Sequence, residues 1–208
     1  MQERIGGFEL EFCRGVEGKC PQALVLDGPN LLARIKNIAR TSSWGQEKDL
    51  KKHHLFKIGF SACPNACARS QIKDVGFIGR AEIKVQVDRC VKCGLCLQAC
   101  KEQAILLEPG LELTSNCLGC GECALTCEQE ALSRGETQVR VLLGGRLGRH
   151  ARLAKEVDRL SLEKMVSFLA FVLKLLERSA VKQGKELFTI YSPQEIRDGF
   201  SKQGNNSL

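Results

Sequence analysis

Aromatic residues other than phenylalanine are almost missing: the chain has one Trp and one Tyr, and nowhere do aromatic and basic residues interleave. That excludes the stacking platform on a cationic groove that grips single-stranded nucleic acid, so no nucleic-acid partner is expected. An apolar leader is lacking too, since Met1-Gln2-Glu3-Arg4 leads into Gly6-Gly7 and mixed polarity, so no secretory signal is expected. The longest apolar stretch, Val166–Leu176, is broken by Lys174 and falls far short of the ~20 residues that span a bilayer. With 208 residues and no export signal, a disulfide framework of the short secreted kind is excluded as well. The expected location is the cytoplasm, a reducing compartment without membrane contact.

What the chain does have is cysteine, twelve in all. Eight fall in two runs of identical spacing, C-x2-C-x2-C-x3-C, at Cys90, Cys93, Cys96 and Cys100 and again at Cys117, Cys120, Cys123 and Cys127. This is the spacing of bacterial two-cluster ferredoxins, in which the fourth cysteine of each run ligates the other run's cluster. The expected ligand sets are therefore Cys90, Cys93, Cys96 and Cys127 for one 4Fe–4S cluster, and Cys117, Cys120, Cys123 and Cys100 for the other. Gly94, Gly119 and Gly121 suit a backbone that turns tightly against sulfur. Zinc is the competing reading, but zinc pairs are separated by a longer spacer and need four thiolates drawn close around one ion. About fifty residues here resemble a bacterial-type ferredoxin. Lys101 and Glu128 stand where a proline usually follows the fourth cysteine, which affects loop packing rather than ligation.

The formal net charge of +7 counts thiols as neutral. Each oxidised cluster with its thiolates carries about −2, so ligation offsets much of the surplus. A small polyanionic cofactor would use the remainder as well as a nucleic acid would.

Outside these runs the chain reads as mixed α and β. Residues 1–12 alternate loosely, at Phe8, Leu10 and Phe12, as in one short strand. Cys13 and Cys20 follow, with six residues between them; alone they read equally as ligands or as unpaired thiols. Asp27-Gly28-Pro29 starts a helix whose stripe is Leu31, Leu32, Ile35 and Ile38. Thr41–Lys52 reads as a polar surface loop, with His53 and His54 facing solvent at its end. Leu55–Phe60 is a buried strand that Pro64 stops, and Cys63 and Cys67, at i and i+4, could share a face of a helical turn. Cys13, Cys20, Cys63 and Cys67 are the four thiols left over, the number one further cluster needs. Residues 161–179 form a helix capped by Ser161, with Met165, Phe168, Leu169, Val172, Leu173 and Leu176 as its core stripe. Ser192-Pro193-Gln194-Glu195 is a capping-box start for a last short helix, and the tail from Lys202 is polar and frayed.

A strand followed by Ser61-Ala62-Cys63-Pro64-Asn65-Ala66-Cys67, with two cysteines upstream beyond a helix, resembles the siroheme and 4Fe–4S domain of sulfite and nitrite reductases. Residues 72–79 (IKDVGFIG) and 139–154 (VRVLLGGRLGRHARLA) continue the likeness, which covers about residues 8–155. In the dissimilatory and anaerobic branches a two-cluster ferredoxin is inserted between those segments. The resemblance implies that Cys13, Cys20, Cys63 and Cys67 hold a cubane, and that Cys67 also bridges to the siroheme iron, which makes it the catalytic cysteine. It further implies that Asn65 offers donors to a siroheme carboxylate. Arg146, Arg149, His150 and Arg152, in a glycine-rich turn, would meet others, because an Arg fork donates two parallel hydrogen bonds. Arg69 and Lys73 are further candidates for that role. The competing reading of 144–152 is a flexible turn with solvated arginines; a phosphate loop is excluded because no Lys–Ser pair follows the glycines.

Departures from the family pattern are the six-residue gap between Cys13 and Cys20, where five is usual, Ala62 in place of a glycine and Ala151 in place of a proline. Family members also carry a half-domain before the first cysteine that supplies basic residues to the oxyanion. Only twelve residues precede Cys13, so no counterpart to those residues is expected here, nor catalysis by this chain alone; the expected partners include a partner subunit or a homo-oligomer. The expected architecture is α+β: a sulfite/nitrite reductase 4Fe–4S domain from residues 1–80 and 136–208, interrupted by a ferredoxin-like insertion at 81–135. The expected function is an iron–sulfur and siroheme oxidoreductase with three 4Fe–4S clusters. A redox partner protein would feed it electrons, and its substrate would be a small oxyanion, sulfite or nitrite. The alternative is a non-catalytic electron carrier or subunit without siroheme.

Overall fold

Phe8, Leu10 and Phe12 alternate with Glu9 and Glu11, the period of a strand. The chain forms two strands at this end, β1 (Gln2–Ile5) and β2 (Phe8–Phe12), an antiparallel hairpin turning at Gly6-Gly7. The turn splits what the alternation alone reads as one strand. The computed structural model describes residues 1–25 and 28–205. They divide into two compact units, residues 1–79 with 139–208, and residues 80–138.

In the first unit, helix α1 (Gly28–Thr41) carries the chain from β2 to β3 (Phe56–Ser61), which pairs parallel with β2. Asp27 of the helix-start signal lies outside the described residues. The stretch expected as a plain loop contains a short helix, α2 (Ser43–Gln46), because Trp44 is buried against Phe8 at 6.4 Å and its carbonyl accepts from the Gly7 N–H at 2.7 Å. His53 is exposed and His54 half-buried, their rings edge-on at 4.2 Å. β4 (Val75–Val85) runs parallel to β3. The chain leaves this unit along β4 and re-enters it along β7 (Leu132–Leu143), which pairs antiparallel with β8 (Lys155–Leu160). The strand order is β1-β2-β3-β4-β7-β8.

Register partners Phe12, Phe60 and Phe77 stack across β2, β3 and β4 at 5.1 and 4.9 Å. Such aligned aromatic pairs stiffen the sheet beneath whatever its strand ends carry. Helix α5 (Leu162–Arg178) begins where the Ser161 hydroxyl accepts from the Lys164 N–H at 3.4 Å. Its stripe of Met165, Phe168, Leu169, Val172, Leu173 and Leu176 is buried in the sheet's own core. Each such side chain contributes about 1.5–3 kcal/mol on leaving water. Arg34 of α1 grips Glu163 with two hydrogen bonds of 2.7 and 2.6 Å. After a short helix, α6 (Leu187–Ile190), the Ser192–Glu195 box starts α7 (Pro193–Asn205), whose Phe200 packs edge-on against Phe168 at 5.1 Å. Helix therefore continues through Lys202 to Asn205, where a frayed tail was expected.

The second unit holds α3 (Leu95–Ala99), α4 (Glu122–Leu125) and a two-stranded ribbon of β5 (Ile105–Leu106) and β6 (Glu112–Leu113). Its core gathers Cys96, Ile105, Leu111, Cys123, Ala131 and Leu132. Among the described residues no helix is long and apolar enough to cross a membrane.

Candidate metal centres

Parallel pairing with Phe12 opposite Phe60 puts the C-terminal ends of β2 and β3 side by side, so the loops carrying Cys13 and Cys63 leave the sheet together. The Cys13 N–H donates to the Phe60 carbonyl at 3.0 Å, and the Ala62 N–H donates to Cys13 Sγ at 3.1 Å. The Cys63–Cys67 segment is a pair of turns and not a helical turn, because Ala66 takes φ +51 and Arg69 φ +50. Within it Asn65 Nδ2 donates to Cys67 Sγ at 3.0 Å. Burial pushes the Cys63 thiol up; the backbone N–H of Asn65 opposes this, while Cys13, Cys67 and Cys20 around it push the same way. Cys13, Cys20 and Cys67 thus lie near enough to Cys63 to act on its charge, with Cys13 buried and Cys67 exposed. Sulfurs crowded this way resist ionisation until a cationic core compensates them, which is what iron supplies.

Two cavities in the second unit repeat the pattern. One is lined by Cys90, Cys93, Cys96 and Cys127, the other by Cys100, Cys117, Cys120 and Cys123. The fourth cysteine of each run therefore faces the other run's cavity. Burial pushes the Cys96 thiol up, aided by Cys90 and Cys127. Burial pushes Cys123 up to about 11, aided by Cys117, Cys120 and Cys100. The Ala104 N–H donates to Cys100 Sγ at 3.3 Å. Among the described residues no three His, Cys, Asp or Glu donors close to the spacing of a single ion. The two quartets of the second unit each line a cavity, so that donor set, all sulfur and opened around a space, fits a cubane.

The basic turn belongs to the first unit and lies beside the Cys63–Cys67 loop. Ala66 from that loop, Ile78, Leu142 and Ala154 share one small apolar cluster. The Ala154 N–H donates to the Gln71 carbonyl at 2.7 Å. A side chain at Gly145 would bring its first carbon within 2.5 Å of the Gln71 carbonyl oxygen, so only glycine lets the turn close on this loop. Arg146 and Arg152 pair their backbones at 3.0 Å in both directions. Their side chains brace the turn, Arg146 Nε donating to the His150 carbonyl at 2.8 Å and Arg152 Nε to that of Gly144 at 2.6 Å. Arg149 and His150 are exposed, as are Leu147 and Leu153, at 68% and 71%. Cations alternating with bare leucines beside an exposed thiol suit a flat, carboxylate-rimmed macrocycle, so the residues present fit siroheme.

Arg69 and Lys73 are engaged elsewhere. Arg69 donates three hydrogen bonds to Glu11, two from Nη2 (2.8 and 3.0 Å) and one from Nε (3.1 Å). Lys73, its side chain 5% exposed, lies 2.5 Å from Glu11 and 3.4 Å from Glu9. Asp74 is buried beside them, its Oδ2 accepting from the Lys57 N–H at 2.8 Å. Burial pushes its carboxyl up to about 7 against the pull of Lys57, Arg152 and Lys73. This network was not found from sequence; its one signal was glutamate at the alternate positions of a strand whose other face is Phe and Leu.

A parallel-stranded unit with four cysteines at its strand ends, and a small unit with eight more around two cavities, define an iron–sulfur redox protein. The family description of the nitrite and sulphite reductase 4Fe-4S domain matches residues 16–186, and the chain belongs to that family. It is 36% identical over 109 residues to a subunit of the anaerobic sulfite reductase of Salmonella typhimurium, a match that covers 47% of this chain and 32% of that protein. It is 36% identical over 141 residues to the coenzyme F420-dependent sulfite reductase of Methanocaldococcus jannaschii, which covers 67% of this chain and 23% of that protein. The chain spans about a third or less of the length of these relatives. Its fold is that of a crystallised dissimilatory sulfite reductase I (TM-score 0.57, 15% identity, 92% of this chain and 51% of the other). It is shared also with the NirA protein of Mycobacterium tuberculosis (TM-score 0.51, 15% identity, 90% and 26%). The α+β fold is thus of the sulfite and nitrite reductase type, and the chain carries an iron–sulfur domain with a redox role.

Proposed function

We propose that this chain is an oxidoreductase subunit of the sulfite or nitrite reductase type. The two cysteine runs would hold two ferredoxin-type clusters that take electrons from a partner protein, and Cys13, Cys20, Cys63 and Cys67 would hold a cubane, with siroheme at Cys67. The observation that carries this reading is the meeting of those four cysteines, with the exposed Cys67 beside the basic turn. Siroheme bound there would supply an open iron face for a small oxyanion, and the clusters would supply electrons singly. The chain's own contributions follow from its contacts. The Asn65 amide steadies the Cys67 sulfur through its 3.0 Å hydrogen bond. Arg146 and Arg152 hold the turn's shape, while Arg149 and His150 are presented outward to carboxylates. Sulfite is the favoured oxyanion because both curated relatives named above are sulfite reductases, and a second subunit is expected because the Salmonella relative is itself one subunit of its enzyme.

Anaerobic purification with an iron count and an absorption spectrum tests this. Three cubanes predict about twelve iron atoms per chain, and siroheme about one more with its own visible band. Clusters without that band, and no sulfite consumption with reduced methyl viologen when the partner subunit is present, would leave an electron carrier as the function.

A further inference from the structure

The two cysteine runs have the same spacing but different surroundings. In the first, Val91, Lys92, Cys93 and Leu95 are exposed, and a side chain on Gly94 would meet open space. In the second, Leu118, Cys120 and Glu122 are half-buried, and Gly119 and Gly121 are buried. Two strands of the same unit cover that loop. The Ala81 N–H donates to the Gly119 carbonyl at 2.8 Å. Arg134 of β7 lays its guanidinium over the turn, Nε donating to the Gly121 carbonyl and Nη2 to the Cys120 carbonyl, both at 3.3 Å. A first carbon on Gly121, whose φ is +78, would overlap Arg134 Nε, so the glycine both turns the chain and admits the cation. Two cations at the start of the first run are paired, Arg89 with Glu130 at 2.9 Å and Lys92 with Glu108 at 3.1 Å. Among the described residues Arg134 forms no ion pair with a carboxylate.

We propose that Arg134 is a residue that tunes the cluster at Cys117, Cys120, Cys123 and Cys100, holding its reduction potential above the value its covered loop would otherwise impose. This rests on the two-cluster reading of the second unit. Reduction adds one negative charge to a centre already near −2, so a covered site disfavours it and an unpaired cation a few ångströms away favours it. The exposed cluster at Cys90 is solvated by water and does not need the help. An electron supplied by a low-potential one-electron donor protein would pass from the exposed site to the covered one with no bond or proton change. Arg134 keeps that transfer from running uphill.

The test is an anaerobic redox titration of the full chain, reconstituted with iron and sulfide, with dithionite as reductant and electron paramagnetic resonance as readout. Cys93→Ser identifies the signal of the exposed cluster. Arg134→Gln is expected to move the other cluster's midpoint to more negative potential and leave the exposed one in place. Arg134→Lys restores part of the shift, keeping the charge while losing one of two carbonyl contacts, and Lys92→Gln moves neither midpoint. Unchanged midpoints in Arg134→Gln, or both moving equally, would overturn the role of Arg134 while leaving two clusters in place. A wild-type iron count that leaves no cluster for the two runs would instead overturn the reading beneath it. If Arg134→Gln loses iron, the midpoints of Arg134→Lys decide: a covered-cluster midpoint as low as the loop's burial dictates, despite the retained charge, counts against the proposal.

Discussion

Asp74 offers the sharpest energetic test of the first unit. Its carboxyl is buried where β4 begins, accepts from the Lys57 N–H, and its own backbone carbonyl accepts from Gly144 at 2.8 Å, at the root of the basic turn. Burial pushes it from an ordinary 3.8 up to about 7. The folded state therefore holds the proton more tightly than the unfolded one, and stability falls as pH rises between those values. The contribution is fully present below 3.8 and lost by the time pH has passed about 7. At about 1.36 kcal/mol per pH unit, the interval corresponds to roughly 4 kcal/mol. Asp74→Asn keeps an oxygen to accept from Lys57 and cannot ionise. The variant is expected to match wild type near pH 4 and exceed it progressively, by about 4 kcal/mol at pH 8. Urea unfolding followed by the fluorescence of Trp44, the single tryptophan and buried in this unit, reads the difference, and groups common to both proteins cancel. A gap that stays constant from pH 4 to 8, or a variant less stable than wild type at pH 8, refutes the reasoning.

The neighbouring ion network behaves oppositely. Lys73→Met leaves Glu9 and Glu11 buried without their ammonium partner, and breaking such a pair costs about 3–5 kcal/mol, read as a lowered urea midpoint at pH 7. Burial works to raise the Glu11 carboxyl, yet Lys73 and Arg69 together hold it below its ordinary 4.5. Its contribution is therefore present above pH 4.5 and lost as pH falls through the folded value, so Glu11→Gln should flatten the acid side of the stability profile. An unchanged acid limb would show that Glu11 is not held as a carboxylate. Cys67→Ser should strip siroheme and one cubane, lowering iron from about thirteen atoms to about eight while the ferredoxin-type clusters stay. Full siroheme retention in that variant argues against a bridging sulfur.

How much of this was legible in the sequence depends on the range of the interaction. Local patterns were readable: the α5 stripe from Met165 to Leu176, the Ser161 cap and the Ser192–Glu195 box all depend on residues a few positions apart. The exchange of Cys100 and Cys127 between cavities was readable for the same reason, since the three-residue step after each triplet carries the last sulfur away from its own run. The hairpin at Gly6-Gly7 and the burial of Trp44 were not, because Trp44 is drawn in by Phe8, far away in sequence. Arg69 and Lys73 read as cofactor ligands only while the partners of Glu9 and Glu11 were unknown. Parallel pairing of β2 with β3 sets those glutamates where the chain after Cys67 must pass, and opposite charges inside a sheet edge find each other before a solvated cofactor does.

The same limit applies to the two cysteine runs, and there it bears on function. Spacing is a statement about geometry, so identical spacing predicts two similar ligand cages. A reduction potential depends on everything else: burial, nearby charge and hydrogen bonds, none of them encoded in the run. Gly94 and Gly121 occupy equivalent places, at φ +81 and +78, yet one faces open space and the other a guanidinium from β7. Two cages of equal shape and unequal surroundings are what a one-way relay requires, because a pair with the same potential and the same exposure would have no preferred end. If the proposed role of Arg134 holds, direction would reside in that guanidinium and in the strands over the second loop rather than in the cysteines.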